Sequence, residues 1–546
     1  MNSVQALLCR ACEGTSQQKL FVHEGRVVCQ CQACGLVFLN PQPSDEVLSR
    51  IYSTEYFLES TDPESQGHLS RIKRQTARLY LDAIVQYGGT REGTLLEVGC
   101  GKGDLLAEGL ARGYEVKGVE PSPHAAQSAN RRLGRDIVTC STLEEASLPA
   151  DHFDVCVCVD VIEHVRDPVE LLMQVRRVLK PTGVLLLVTP TLDSWSARIL
   201  KHRWFEFKTE HLYYFDSATL RNTLARTGFQ AVDLVPARKV LSLDYVHRHF
   251  QRYPVSGVSP LVSLFWHLSP RALQNALFSV STSSLLALAR PAAPRSRLLV
   301  SVIMPVYNEH KTVTTVLDRL IAKELKGVDK EVIVAEGNSS DGTREDVLRY
   351  RDAPGVRLLL LDRNRGKGYA VRQGLHHATG DIVLIQDADL EYDIGDYDDL
   401  IEPLRTYRQA FVLGSRHSGS DKIRVFADQR FLEVTFNLGH VLLTKLFNLL
   451  YGQRLNDPWT MYKVFRRDCL HKLKFECCRF NFDVELLSKL VRKGFEPVEI
   501  PVRYRSRSFK EGKKIKVLID PWTWIWACIK YRIVSPYDRS QTVRES

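Results

Sequence analysis

Leu95-Leu96-Glu97-Val98-Gly99-Cys100-Gly101-Lys102-Gly103 reads as a buried strand that breaks into a glycine-rich turn and then a helix over 104–112. Glycines let the backbone approach a ligand closely at the strand's C-terminal edge, and this turn suits a loop that wraps an adenosyl cofactor. A second stretch, Val302-Ile303-Met304-Pro305-Val306-Tyr307-Asn308-Glu309, is followed downstream by Asp387-Ala388-Asp389. Alternating carboxylates at a strand end offer oxygen-only ligands, which suit magnesium or manganese held against a sugar diphosphate. Two loops of this kind on one chain imply two α/β modules with different transfer chemistry.

The whole chain supports that division. At 546 residues it exceeds the size at which single cores stop growing. Its 44% hydrophobic and 25% charged residues are ordinary for globular protein. A net charge of +10 fits anionic substrates such as nucleotide-sugars or lipid phosphates, and equally an ordinary basic surface. No nucleic-acid module is evident. The first ten residues lack the pattern of a signal peptide, and no apolar run reaches membrane-spanning length. The longest candidate, 280–289, is short and serine-rich. Thirteen cysteines, several in expected buried strands such as Cys156 and Cys158, fit a reducing cytoplasm better than a disulfide scaffold.

Outward from the two loops, the pattern predicts a cysteine cluster over 1–40 and a helical approach over about 41–80. Apolar runs at 94–98, 115–119, 153–159 and 183–189 read as parallel strands with helices between them. Residues 241–297 read as a helical extension and linker, ending in Arg290-Pro291-Ala292-Ala293-Pro294-Arg295, where paired prolines favour extended chain. A second alternation has strands at 299–305, 331–335, 356–361 and 382–386, with a helix at 312–322. The expected domains are 1–40, 41–240, 241–297 and 298–546, without internal repeats.

Cys9-x-x-Cys12 and Cys31-x-x-Cys34-Gly35 are two knuckles about eighteen residues apart. Four thiolates at this spacing close a tetrahedral zinc site, which leaves no open position and is structural. Cys29 is an alternative ligand to Cys31.

The 115–119 strand leads into Glu120-Pro121-Ser122, where an acidic side chain accepts from ribose hydroxyls. Phe153-Asp154-Val155 leads into Asp160-Val161-Ile162-Glu163-His164-Val165. Over about residues 90–235 this series resembles class I S-adenosylmethionine-dependent methyltransferases. With the knuckles and Asn40-Pro41-Gln42-Pro43, it looks like the zinc-ribbon subgroup that includes sugar C-methyltransferases. The resemblance implies that Glu97, Gly99 and Gly101 shape the methionine pocket, that Glu120 holds the ribose, and that Leu143 lies near adenine. In that subgroup a Glu-His pair abstracts a proton alpha to a keto group. Here Glu210-His211 stands in that region, so His211 is the expected catalytic base, Glu210 its orienting partner, and His164 a second candidate. Lys208 occupies the neighbourhood of that subgroup's tyrosine.

In the second half, Pro305 stiffens its loop and Tyr307 offers a face for a base. Glu336-Gly337-Asn338-Ser339-Ser340-Asp341 ends the next strand. Asn364-Arg365-Gly366-Lys367-Gly368 brings charge and backbone amides to a diphosphate. These motifs, in this order over about 299–515, look like family-2 inverting glycosyltransferases, which implies a GT-A fold. The resemblance assigns Pro305, Tyr307, Glu309 and Glu336 to the nucleoside, and Asp387 and Asp389 to diphosphate and metal, with Lys367 the cation expected near the diphosphate. Common members have two aspartates where this chain has Glu336-Gly337. Asp483 or Glu485 is the candidate base for a hydroxyl acceptor, or the two are a carboxylate pair favoured by the helix dipole. Gly414-Ser415-Arg416, Asp457-Pro458-Trp459-Thr460-Met461-Tyr462-Lys463 and a basic loop over 503–516 resemble segments of polyprenyl-phosphate sugar synthases. In that loop, Arg503, Arg505, Lys513 and Lys514 are candidate phosphate ligands, against the alternative of a solvated basic loop. The aromatic and basic run over 521–532 suits a bilayer interface or packing on the domain.

The expectation is a cytoplasmic bifunctional transferase of glycan biosynthesis, free or peripheral on the inner face of a membrane. It would use S-adenosylmethionine, magnesium or manganese, structural zinc, a nucleotide-sugar donor, and a sugar, glycan or polyprenyl-phosphate acceptor. The alternatives are a polyprenyl-phosphate glycosyltransferase with an unrelated methylase, or an N-terminal half that binds cofactor as a scaffold.

Overall fold

The computed structural model describes residues 8–51, 63–88, 91–252, 254–255, 257–293, 296–417, 430–507 and 520–536. The chain divides into two compact units, Met1–Pro294 and Arg295–Ser546.

In the first unit, β1 (Gln17–His23), β2 (Arg26–Cys31) and β3 (Val37–Leu39) form an antiparallel ribbon. The ribbon is not closed on itself. Its last strand pairs with the two-residue strand Tyr213–Tyr214, placing Val37 opposite Tyr214 and Phe38 opposite Tyr213. The cysteine knuckles therefore brace the segment that carries Glu210 and His211.

The central sheet of this unit begins with β4 (Gly93–Val98), β5 (Tyr114–Val119), β6 (Val138–Thr139), β7 (Phe153–Val159) and β8 (Leu179–Pro190). Counting Tyr213–Tyr214 as β9, it is completed by β10 (Phe229–Leu241) and β11 (Phe278–Pro291). Its order is β10-β11-β8-β7-β4-β5-β6. The strands β4 to β8 are parallel, and β11 inserts antiparallel between β8 and β10. Strands β4, β7 and β8 are apolar on both sides because packed layers cover both faces, as expected for parallel strands.

This corrects the reading of 241–297 as a helical extension and linker. Helices Leu243–Arg252 and Val258–Leu268 are present, but the segment returns as β11, a strand of the central sheet. Arg290 and Pro291 lie at its end rather than in a linker, while Pro294 and Arg295 fall outside the described residues.

The second unit is built on β12 (Leu298–Val306), β13 (Val328–Glu336), β14 (Val356–Leu360), β15 (Ile382–Ile385), β16 (Phe411–Ser415), β17 (Lys463–Arg466) and β18 (Val498–Pro501). The order is β14-β13-β12-β15-β17-β16-β18, with β17 antiparallel to its neighbours. The parallel strands β12, β13 and β15 end on one edge, so Tyr307, Gly337 and Asp387 emerge together, where open α/β sheets bind ligands. The long helix Arg430–Tyr451 and the helix Asp520–Ile533 pack together with Phe482–Arg492 beneath them.

Candidate active sites

The four knuckle sulfurs converge as the spacing predicts. Cys9 Sγ and Cys34 Sγ lie 3.6 Å apart, as do Cys12 Sγ and Cys31 Sγ. A tetrahedral ion with Zn–S bonds of about 2.3 Å separates its sulfurs by about 3.8 Å, so the donor set fits zinc. Among the described residues, Cys31 rather than Cys29 lies in this cluster. Gly35 turns the chain after the knuckle at φ 84°.

At the end of β4, Gly99 takes φ 68°, and a Cβ there would meet Val161 Cγ2 at 2.6 Å. Only glycine fits this turn. Glu120 ties this turn to the loop after β5: Oε2 accepts from the Gly101 amide at 2.8 Å and Oε1 from the Ser122 amide at 2.9 Å. Glu97 lies behind the turn, and burial drives its carboxyl well above the usual range. Its Oε2 is buried without a hydrogen-bond partner among the described residues, an acceptor suited to the ammonium of S-adenosylmethionine. Leu143 is buried on the loop after β6.

Glu163, His164 and His211 come together across the other side of this edge. The Glu163 carbonyl accepts the Leu212 amide at 2.7 Å, knitting the β7 loop to the segment braced by the ribbon. His211 is buried, with its Nδ1 2.9 Å from the Glu206 carbonyl, and its ring lies 4.7 Å from that of His164. Burial, then His164 and Lys208, hold His211 neutral, well below its ordinary pKa. Glu210 was expected to orient His211. The carbonyl of Glu206 does so instead, and the carbonyl of Glu210 accepts His164 Nδ1 at 3.0 Å. Burial likewise brings His164 down to about 4 and Glu163 up to about 8. Glu163 was not singled out from sequence as a site residue.

The second unit holds a cavity of about 800 Å³ at its sheet edge. Pro305, Tyr307, Glu309, Lys367, Asp387, Asp389 and Asp483 all line it. Lys367 Nζ sits 2.5 Å from Asp387 Oδ1. Burial works against the lysine's charge, yet Asp387 and Asp483 hold its pKa above the ordinary value. Burial and the carboxylates of Asp387 and Glu391 push Asp389 up to about 7.

Arg507 enters among these acids. Its guanidinium pairs with Asp389 and lies 3.1 Å from Glu309 Oε2, while its amide donates to Glu391 Oε1 at 2.8 Å. It therefore sits against the carboxylate expected to hold a metal. The oxygen donors of Asp387 and Asp389 are of the right chemistry for magnesium or manganese, and two carboxylates plus donor phosphates make an ordinary set. Of the expected phosphate ligands, Arg503 is engaged with Asp393 and Asp396, and Lys513 and Lys514 lie outside the described residues.

Two expected contacts are corrected. Glu336 is fully buried and does not line the cavity. Its carboxylate accepts the Ser339 amide at 2.7 Å and pairs with Arg344, so it fixes the turn while neighbouring Gly337 faces the cavity. Glu485 is also fully buried: it accepts the Cys477 amide at 2.8 Å and pairs with Lys489 at 2.5 Å. Of the two candidate bases only Asp483 faces the cavity, 4.0 Å from Lys463 Nζ.

Arg416, which also lines the cavity, is held by Asp457. Its Nε and Nη2 donate to the two carboxylate oxygens at 2.8 and 2.7 Å, and both side chains are almost fully buried. His440, Leu443, Trp459 and Trp524 close the far wall. The helices behind that wall carry exposed apolar stripes: Leu438, Val441, Leu442 and Leu449 on one, Trp522, Trp526, Ile529 and Ile533 on the other. Among the described residues no helix is long and apolar enough to cross a membrane.

Comparison with known proteins matches each unit separately. The family model "Glycosyl transferase family 2" matches residues 301–474, and a "Methyltransferase domain" model matches 71–234. A dolichyl-phosphate beta-glucosyltransferase of Trichomonas vaginalis is 30% identical over 243 residues, 41% of this chain and 70% of the relative. An undecaprenyl-phosphate 4-deoxy-4-formamido-L-arabinose transferase of an Enterobacter species is 27% identical over 217 residues, covering 39% and 62% respectively. The crystal structure of the YcgJ protein from Bacillus subtilis covers 40% of this chain and 99% of its own, at 16% identity and a TM-score of 0.31.

Proposed function

We propose, for a chain that belongs to glycosyl transferase family 2 and carries an S-adenosylmethionine-dependent methyltransferase domain ahead of it, that the second unit transfers a sugar to a polyprenyl phosphate. One observation carries this reading. The cavity runs from the donor motifs to a wall formed by two helices whose outer faces are apolar stripes. A lipid-borne phosphate reaches such a cavity from a bilayer lying against Trp522, Trp526, Leu438 and Leu442, which makes the protein a peripheral membrane enzyme. The relatives named for dolichyl- and undecaprenyl-phosphate transfer support the same acceptor class.

Tyr307 stacks on the donor base and Lys367 faces its diphosphate. Asp387 and Asp389 would hold magnesium or manganese, whose charge would stabilise a departing nucleoside diphosphate. Arg507 swings off Asp389 as the donor enters. The acceptor phosphate, held by Arg416, attacks the anomeric carbon from the face opposite the leaving group and inverts it. An anionic phosphate oxygen needs little help from a base, so Asp483, set between Lys463 and Lys367, serves to position rather than deprotonate. In the first unit, Glu97, Glu120 and the glycine turn bind S-adenosylmethionine, and the Glu163–His164–His211 cluster acts on the acceptor, a sugar. Both activities serve glycan assembly.

The test is a screen of nucleoside diphosphate sugars with manganese and vesicles carrying a polyprenyl phosphate. The expected result is a glycolipid from one donor class, and loss of vesicle co-flotation in Leu442→Asp/Trp526→Asp. Equal transfer to a water-soluble alcohol without lipid phosphate sinks the acceptor assignment.

A further inference from the structure

We propose that Glu163, His164 and His211 form a binding site for a borderline divalent cation of the zinc class, separate from the four-cysteine cluster. One ligand atom from each of the three residues lies within 4.8 Å of the others, and Glu163 and His211 are buried while His164 is half-buried. The inference deepens the methyltransferase reading and rests on it only for what the ion would do, not for whether it binds.

Three features of the cluster belong to metal sites. First, each imidazole has its Nδ1 against a backbone carbonyl, His164 against Glu210 and His211 against Glu206. A carbonyl only accepts, so each Nδ1 carries the hydrogen and each Nε2 the lone pair. This is the arrangement that fixes the tautomer and orientation of metal-binding histidines. Second, Glu163 Oε2 takes a hydrogen bond from Thr189 Oγ1 at 2.9 Å, while Oε1 is buried with no hydrogen-bond partner among the described residues. A buried carboxylate oxygen left in that state is costly, and a cation satisfies it. Third, the neighbouring cations are already offset. Lys239 pairs with Asp160 at 2.7 Å and Lys208 with Glu206 at 2.9 Å, so both lysines already have carboxylate partners other than Glu163.

The donor set of two imidazoles and one carboxylate matches zinc and its neighbours rather than magnesium. Bonds of about 2.1 Å set tetrahedral ligands about 3.4 Å apart, so the side chains close on an ion by shifts of under roughly 1 Å. Three protein ligands leave a position open, unlike the cysteine site. That position takes an oxygen of the methyl acceptor and lowers the pKa of its proton. His211 then serves as a ligand rather than as the free base its sequence context suggests.

The experiment is a zinc count on the full chain. Protein stripped with a chelator is reloaded with Zn²⁺, dialysed, and its metal-to-chain ratio measured by plasma mass spectrometry. Wild type is expected to hold one zinc at the cysteines and a second at the triad. Glu163→Gln, close to isosteric, loses the second alone, His211→Gln does the same, and Cys9→Ser loses the first. A wild-type chain that keeps a single zinc, or a folded Glu163→Gln chain that keeps both, overturns the proposal. Adenosylmethionine binding, followed by calorimetry on the same samples, reports folding of the unit. It also separates the two readings: a second zinc without cofactor binding leaves the metal site standing and removes the methyltransferase reading, and the converse result does the opposite.

Discussion

Replacing Asp457 by Asn isolates the ion pair that places Arg416 in the glycosyl-transfer cavity. The Asp457 carboxylate accepts three hydrogen bonds from Arg416, two from the guanidinium at 2.8 and 2.7 Å and one from its amide at 2.9 Å. Arg416 and Asp457 side chains are 4% and 0% exposed, so solvent does not screen them. An asparagine keeps one acceptor oxygen, but turns an NH₂ group toward a guanidinium that can only donate. The variant therefore loses the charge pairing and one arm of the fork, leaving a buried cation uncompensated. Breaking such a pair costs about 3–5 kcal/mol. Arg416 keeps the face of Tyr504 at 5.3 Å and borders the cavity, which favours the lower end, about 3 kcal/mol. Burial raises the Asp457 pKa, but Arg416 overrides it and holds the carboxyl well below its ordinary value. A depressed carboxylate contributes fully above the unfolded pKa and loses that contribution as pH falls through the folded one. The gap between wild type and variant is thus flat near neutrality and closes only in acid. Hydrogen exchange of the full chain, followed in the strands Phe411–Ser415 and Lys463–Arg466, reads the local opening equilibrium. An increase of roughly a hundredfold is expected at pH 7.5, from about 3 kcal/mol. A change under about fivefold there, or a gap that widens toward acid pH, refutes the argument.

Glu120→Ala removes the carboxylate that ties Gly101 to Ser122, and affinity for S-adenosylmethionine is expected to fall by on the order of a hundredfold, from the loss of charged hydrogen bonds. Calorimetric titration checks this, and unchanged affinity removes Glu120 from the cofactor site. Arg507→Ala removes the cation lodged against Asp389 and Glu309, so the manganese concentration giving half-maximal donor cleavage is expected to drop roughly tenfold. An unaltered manganese dependence means that arginine and metal do not compete.

Much of the scaffold was legible because local pattern and tertiary environment agree. Continuous apolar runs marked β4, β5, β7 and β8 to within a few residues, and β12, β13, β14 and β15 likewise. Strand β11 was not legible for a physical reason. Its first half, Phe278 to Ser283, is serine-rich and largely open to solvent, and it is held in the sheet by antiparallel pairing with β10, while β8 pairs only with Ser284 to Ala289. Contacts between segments so distant in sequence leave no periodic mark. The same applies to Arg507 and Glu163: one meets Glu309 across 198 residues, and the other meets His211 where the Glu163 carbonyl accepts the Leu212 amide.

The two acids at 483 and 485 show where sequence had more to offer. They were paired as alternative bases on one helix, yet positions two apart on an α-helix differ by about 200° around its axis. One cavity cannot face both. Asp483 turns to the donor site, and Glu485 turns inward to the Cys477 amide and Lys489. The split has a mechanistic consequence. A glycosyl acceptor that needed strong deprotonation would call for an acid unencumbered by cations, whereas Asp483 stands 4.0 Å from Lys463 and beside Lys367. A carboxylate so placed is engaged by both lysines, which suits a positioning role. That role fits the proposed acceptor, a nucleophile that arrives already charged. The placement of the cations around Asp483 is thus a support for the proposed phosphate acceptor that does not draw on the relatives' names.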